Sequence, residues 1–252
     1  MSRRTPGWHN GRVSALIGLH GFTQAGRMFD ELSHYLPRHV EAPDLPGHGA
    51  SSDLPTTFES VTRLIEWLAA GEPPVLIGYS MGGRLALRYA LERPVERLVL
   101  ISTGPGIEDP TARDERRQSD GRLASTVTGA GLEEFIDTWL ANPLFAGLGK
   151  RHEIWRAVDR ETRLLNSAQG LASALVDFGQ GTQPYLGHRL SELAVPTLIV
   201  AGAADPKYAA IAESMHVAIT DSQLAIIDGV GHAVVGEAPA ELGDRISRFL
   251  YQ

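Results

Sequence analysis

The most constraining feature of the chain is a serine set between glycines, Gly78-Tyr79-Ser80-Met81-Gly82. An apolar run, Val75-Leu76-Ile77, precedes it, and a helical pattern follows to about Arg93, before Pro94. Gly-x-Ser-x-Gly in that context predicts a sharp strand-to-helix turn. The need for glycine is steric: a serine on such a turn is held in a strained backbone conformation, and its neighbours must lack side chains for the chain to pass closely. The turn exposes the Ser80 hydroxyl at the carboxyl edge of a sheet and aims the amide end of the next helix at it. A phosphate-binding loop is excluded, because no Gly-Lys-Ser/Thr follows. A chance glycine-rich turn is the plain alternative, and the flanking strand and helix weigh against it.

Short apolar runs alternate with helical patterns along the rest of the chain, which predicts an α/β fold with a mostly parallel central sheet and helices on both faces. Strands are expected at Val13–Leu19, around His39–Ala42, at Val75–Ile77, Val95–Ser102, Thr197–Gly202 and Gln223–Ile227. Phe58, Val61, Leu64, Ile65, Leu68 and Ala69 recur at helical spacing, and a final helix is expected from about Ala238 to Leu250. Residues 104–190 break this rhythm: they are charge-rich and helix-patterned, with no buried strand. Two core segments, 1–103 and 191–252, interrupted by a helical lid at 104–190, are therefore expected. Insertions of that length are usually functional, although the segment would also serve as extra helices on the core.

A serine hydroxyl is nearly inert at neutral pH until a base takes its proton. Two candidates follow in the order Ser…Asp…His that this fold requires. Asp205 lies just after the Thr197–Gly202 run, and His232 just after the run ending near Ile227. Both would stand on loops at the same sheet edge as Ser80, with Asp205 orienting the imidazole. Asp228 also lies near, but its loop position is less apt. His20-Gly21-Phe22 follows the first strand, so the backbone amides of Phe22 and Met81 would face an oxygen that becomes negative during reaction. One such donor is worth about 3–4 kcal/mol of barrier. His20 and His48 match no metal-ligand spacing and read as structural turn histidines. The remaining histidines read as surface or packing residues.

Composition removes several classes. Of 252 residues, 43% are hydrophobic and 21% charged, as in ordinary globular proteins. With no cysteine, disulfides, thiolate metal sites and cysteine nucleophiles are excluded. The net charge of −7 argues against a nucleic-acid partner. Met1–Asn10 carries positive charge without a following apolar core, so it does not read as a secretory signal, and the longest apolar runs are too short to span a bilayer. A cytoplasmic protein is expected, with no membrane insertion.

On these motifs, with Asp44-Leu-Pro-Gly-His-Gly49, the chain resembles the α/β-hydrolase superfamily. More narrowly, it is similar to the 2-succinyl-6-hydroxy-2,4-cyclohexadiene-1-carboxylate synthases of menaquinone biosynthesis. The narrower likeness rests on Arg84 directly after the double glycine, Glu115-Arg-Arg-Gln-Ser-Asp120, Trp139-Leu-Ala-Asn-Pro-Leu-Phe145, Arg163, and Asp205-Pro-Lys-Tyr208. The resemblance implies a lyase that removes pyruvate from an enolpyruvyl ether, with Ser80 as base and no cofactor or metal. It also implies a small tricarboxylate substrate held by Arg84, Arg116 and Arg163, with Tyr79 and Trp139 lining the ring pocket. Several guanidinium groups suit several carboxylates, each charge-assisted bond being worth roughly 1.5–3 kcal/mol. Read without the resemblance, the charge cluster around Arg116 fits a solvated helix face, and the two aromatics fit a plain core. A serine hydrolase acting on an ester or carbon–carbon bond would share the same triad. A non-catalytic small-molecule receptor would share the fold.

Overall fold

The apolar runs pair, in a computed structural model that describes residues 14–252, into a five-stranded sheet of order β1-β2-β3-β4-β5. The elements follow as β1 (Leu16–Leu19), α1 (Asp30–Ser33), α2 (Phe58–Ala69), β2 (Val75–Tyr79), α3 (Met81–Glu92) and β3 (Arg97–Ile101). After them come α4 (Pro110–Ala130), α5 (Leu132–Leu140), α6 (Glu153–Arg163), α7 (Ala168–Phe178), β4 (Thr197–Gly202), α8 (Pro206–Ala218), β5 (Ser222–Ile227), α9 (Val234–Glu237) and α10 (Pro239–Leu250). All four strand pairings are parallel, with Leu19 beside Gly78, Tyr79 beside Ile101, and Gly202 beside Ile227. Parallel strands joined by helices are covered on both faces, which is why their sequences read as continuous apolar runs. Ile17, Leu76, Leu98 and Ile199 pack toward α2, α3 and α8, while Leu16, Val75, Val99 and Leu198 pack toward α1 and α10.

The strand expected around His39–Ala42 is reduced to one bridge, between Glu41 and Ile17. Glu41 donates its amide to Leu16 O at 2.8 Å and accepts from Gly18 N at 3.1 Å. Pro43 then has no N–H to extend the ladder. Helix α8 was not expected: its buried positions, Tyr208, Ala212 and Met215, sit among alanines that blur the apolar stripe. Val13 and the Met1–Asn10 stretch lie outside the described residues.

Between β3 and β4 the chain forms only helices and loops. Starts are fixed by side-chain caps: Asp109 accepts from Ala112 N at 2.7 Å ahead of Pro110, and Ser167 from Gly170 N at 2.9 Å. Ala124 and Val127 of α4, Phe135 and Ile136 of α5, and Leu171 and Leu175 of α7 make a small core of their own, against which Phe22 and Trp139 pack. No helix among the described residues is long and apolar enough to cross a membrane.

The crossing of α3 over β1 allows no side chain. A Cβ on Gly82 would overlap the Leu19 carbonyl, whereas one on Gly121, within α4, would meet nothing within 4 Å. Gly82→Ala is therefore expected to lower stability by about 1–3 kcal/mol or more, and Gly121→Ala to raise it by about 0.5–1 kcal/mol. Thermal melts of the two variants check both signs.

Candidate active site

Parallel strands bring their carboxyl ends to one edge, and the loops leaving four of them meet there. Ser80 follows β2 with φ 51° and ψ −109°, a region costly for a non-glycine residue. Its amide donates to Ile101 O at 2.9 Å, its carbonyl accepts from Thr103 Oγ1 at 2.8 Å, and the Gly82 amide donates to His20 O at 3.0 Å. These bonds hold the turn in place.

His232 Nε2 stands 3.1 Å from Ser80 Oγ, and His232 Nδ1 stands 2.8 Å from Asp205 Oδ2. Asp205 is also the N-cap of α8, its other oxygen accepting from Tyr208 N at 3.2 Å. Burial by itself pushes the Asp205 carboxyl up. The His232 hydrogen bond, the Tyr208 amide and the charges of His232 and Lys207 outweigh it, so the acid lies below its ordinary range. His232 itself is buried, with the Tyr208 ring 4.6 Å and the Tyr79 ring 5.7 Å from its centroid. Asp228 is not the imidazole's partner.

A cavity of about 180 Å³ opens over Ser80, lined among others by Phe22, Tyr79, Met81, Arg84, Arg116, Trp139 and His232. The amides of Phe22 and Met81 donate to no other group among the described residues. Behind Phe22, the His20 Nε2 atom accepts from Leu45 N at 2.9 Å, so its proton resides on Nδ1, which donates to Gly21 O at 2.8 Å. Burial pulls His20 down to about 4, so it is neutral at pH 7 and buttresses the loop. Arg84 is buried. Its Nε donates to Gln183 Oε1 at 2.6 Å and its Nη2 to Phe178 O at 2.7 Å, which leaves Nη1 for a ligand. Burial lowers its pKa to about 10, so it remains a cation at neutral pH. Arg116 Nε pairs with Asp120 at 2.7 Å, and its Nη1 donates to Gln180 Oε1 at 3.1 Å. Burial pushes the Tyr79 hydroxyl up, so it stays protonated.

Arg163 stands apart. It faces a neighbouring cavity of about 350 Å³ that shares only Tyr79 with the first. Fully buried, it pairs with Asp159 at 2.8 Å and donates to Thr23 Oγ1. Asn166 next to it donates to Thr23 O at 2.8 Å and accepts from Gly49 N at 2.9 Å. Sequence reading also passed over Gln180 and Gln183, which hold the two cavity arginines. Uncharged and outside any motif, they gave no signal. Gln180 additionally donates to the Tyr208 hydroxyl at 2.7 Å. Among the described residues no group of three His, Asp or Glu side chains could hold a metal.

This geometry agrees with what the chain is similar to. The profile of the alpha/beta hydrolase family matches residues 16–245. A 2-succinyl-6-hydroxy-2,4-cyclohexadiene-1-carboxylate synthase of Salmonella paratyphi C is 33% identical, over 94% of this chain and 93% of its own length. A Bacillus subtilis relative, whose assignment to the same synthase is provisional, is 38% identical over 94% of this chain and 90% of its own. The chain belongs to the 2-succinyl-6-hydroxy-2,4-cyclohexadiene-1-carboxylate synthase family of α/β hydrolases. Among solved structures, MenH from S. aureus superposes on it with a TM-score of 0.88 at 36% identity, covering 94% of this chain and 93% of that one. A Thermogutta terrifontis esterase, solved with malate bound, gives 0.79 at 25% identity, covering 95% and 91%. Synthase relatives and esterases thus share one scaffold.

A carboxylate whose pKa is depressed by folding adds stability above its unfolded value and loses it as pH falls through the folded one. Asp205→Asn is expected to cost stability at pH 7, and the gap from wild type should narrow as pH drops below the ordinary aspartate value of 3.8. Denaturant titrations of both proteins across pH 3–7 check this; a gap that does not change with pH would count against the ionised pair.

Proposed function

We propose that the chain is the lyase of menaquinone biosynthesis that converts 2-succinyl-5-enolpyruvyl-6-hydroxy-3-cyclohexene-1-carboxylate to 2-succinyl-6-hydroxy-2,4-cyclohexadiene-1-carboxylate and pyruvate. The observation that carries this reading is the combination of a hydrogen-bonded Ser80–His232–Asp205 line with two guanidinium groups, Arg84 and Arg116, in one small cavity. Hydrolysis of a neutral ester calls for no cations in the serine's cavity, whereas a polyanionic substrate does.

In this reading His232, oriented by Asp205, makes Ser80 basic, and Ser80 takes the proton α to the succinyl ketone. Negative charge moves to the ketone oxygen, where the Phe22 and Met81 amides receive it. As the enolate collapses back to the ketone, ring double bonds form at positions 2 and 4, the carbon–oxygen bond to the enolpyruvyl group breaks, and pyruvate leaves as its enolate, which recovers the proton. No acyl-enzyme forms and no cofactor takes part. Arg84 and Arg116 hold carboxylates, while Tyr79 and Trp139 wall the ring. Arg163, facing the neighbouring cavity, enters as support for the Phe22 loop through Thr23. Helices α4 to α7, residues 104–190 with their connections, form the lid. A cytoplasmic location belongs to the same proposal.

The shared scaffold of the Thermogutta terrifontis esterase supports a second reading, ester or carbon–carbon bond hydrolysis by the same triad. Incubation with the enolpyruvyl substrate separates the two: pyruvate should appear without a covalently modified serine, and Ser80→Ala should slow it by about 10²–10⁴-fold. Arg84→Ala and Arg116→Ala should each cost roughly 10- to 100-fold on the tricarboxylate, as expected for a lost charge-assisted bond, while leaving hydrolysis of a neutral test ester far less affected. Rapid turnover of simple esters with no pyruvate formed would overturn the lyase assignment.

A further inference from the structure

Glu237, on α9, makes its contacts on either side of His232. Its Oε2 accepts from Gly231 N at 2.8 Å and its Oε1 from Ala233 N at 3.1 Å. The amides before and after the imidazole's own residue therefore end on one carboxylate. Its backbone closes the same ring, since the Glu237 amide donates to Ala233 O at 2.8 Å. From the other side, the turn Pro143–Lys150 of the helical insertion rests on this carboxylate: a Cβ on Gly147 would overlap Glu237 Oε2. The same turn supplies Phe145, whose ring lies 6.3 Å from that of His232. Among the described residues no other side chain accepts from the amides on both sides of His232.

We propose that Glu237 is the positioning residue for His232. It fixes the 231–233 backbone so that Nε2 meets Ser80 Oγ, and it ties that alignment to the seating of the insertion through Gly147. This rests on the reading of His232 as the group that activates Ser80. The chemistry follows from donors and acceptors. The two amides that flank His232, both partly buried, need two acceptors, and a carboxylate offers both without a donor of its own. A glutamine of the same shape offers one acceptor and places its NH₂ against the other amide. Proton transfer is steep in geometry, and a shift of about 1 Å can cost roughly 100-fold.

The test uses two readouts on the full chain. One is the rate at which a fluorophosphonate labels Ser80, which reports serine–imidazole alignment whatever the natural substrate. The other is pyruvate release, with kcat and KM resolved. Glu237→Gln is expected to slow labelling and kcat by about 10-fold and Glu237→Ala by about 10- to 100-fold, with KM within about twofold. Gly147→Ala, which pushes on the carboxylate from the insertion, should reproduce the loss. The double variant Gly147→Ala/Glu237→Ala should be no worse than Glu237→Ala alone, because the shorter side chain leaves room. Melting curves confirm that each variant is folded at the assay temperature. Labelling and kcat within about twofold of wild type in folded Glu237→Gln and Glu237→Ala would overturn the proposal, as would additive losses in the double variant. If the wild type labels readily but releases no pyruvate, the lyase reading fails, and the labelling rates still decide the role of Glu237.

Discussion

The site depends on one strained residue held from three directions. Ser80 adopts a backbone conformation that costs of order 1–3 kcal/mol for a side-chain-bearing residue, and it persists because Ile101 O, Thr103 Oγ1 and the Gly82–His20 contact over-determine it. Ile101 and Thr103 belong to β3 and the residues just after it, and His20 follows β1, so both neighbours of β2 take part. The turn is thus specified by the parallel register of β1, β2 and β3, and a slip in any one pairing would release it. Strain here sets direction: it turns the hydroxyl out of the sheet and the first amides of α3 toward the same point.

Charge is arranged around that point in two shells of opposite purpose. Close in, Asp205 stays ionised because it serves two donors, the imidazole and the first turn of α8. Farther out, Arg84 and Arg116 are buried or half-buried cations steadied by neutral acceptors, namely Gln183, Gln180 and the Phe178 carbonyl, with Asp120 as the one acid among them. Neutral acceptors fix the orientation of a guanidinium without quenching its charge. Such a wall keeps its affinity for an anion in a way that a set of tight ion pairs would not.

How much of this was legible in the sequence varies by residue. Ser80, Asp205 and His232 could be read because each follows a strand end, and strand ends in a parallel sheet converge. Arg84 was legible through its place directly after the double glycine. Arg163 was legible only through the family likeness, and its seat beside Thr23 and Asp159, facing the neighbouring cavity, is set by packing across the fold that no motif records. The strand expected at His39–Ala42 stops at a single bridge because Pro43 has no N–H to extend the ladder. Helix α8 and the clamp residues Gln180, Gln183 and Glu237 were invisible for a common reason. Their roles are set by what lies across the fold, and no local period or charge pattern records that.

The corner between α6 and α7 carries a mechanical implication. Arg163 and Asn166 are bound to Thr23, and Asn166 also receives the Gly49 amide, so three polar bonds fasten this corner to loops of the core. The start of α6 is tied to the core as well, Arg151 pairing with Glu31 at 2.6 Å and Trp155 Nε1 donating to the same carboxylate at 2.9 Å, whereas the Arg160 pairs to Glu133 and Asp137 join only helices of the insertion. Thr23, and the amide of Phe22 beside it, are therefore moored by the insertion itself, so a change that loosens the 163–166 corner would slacken the very loop that presents that amide.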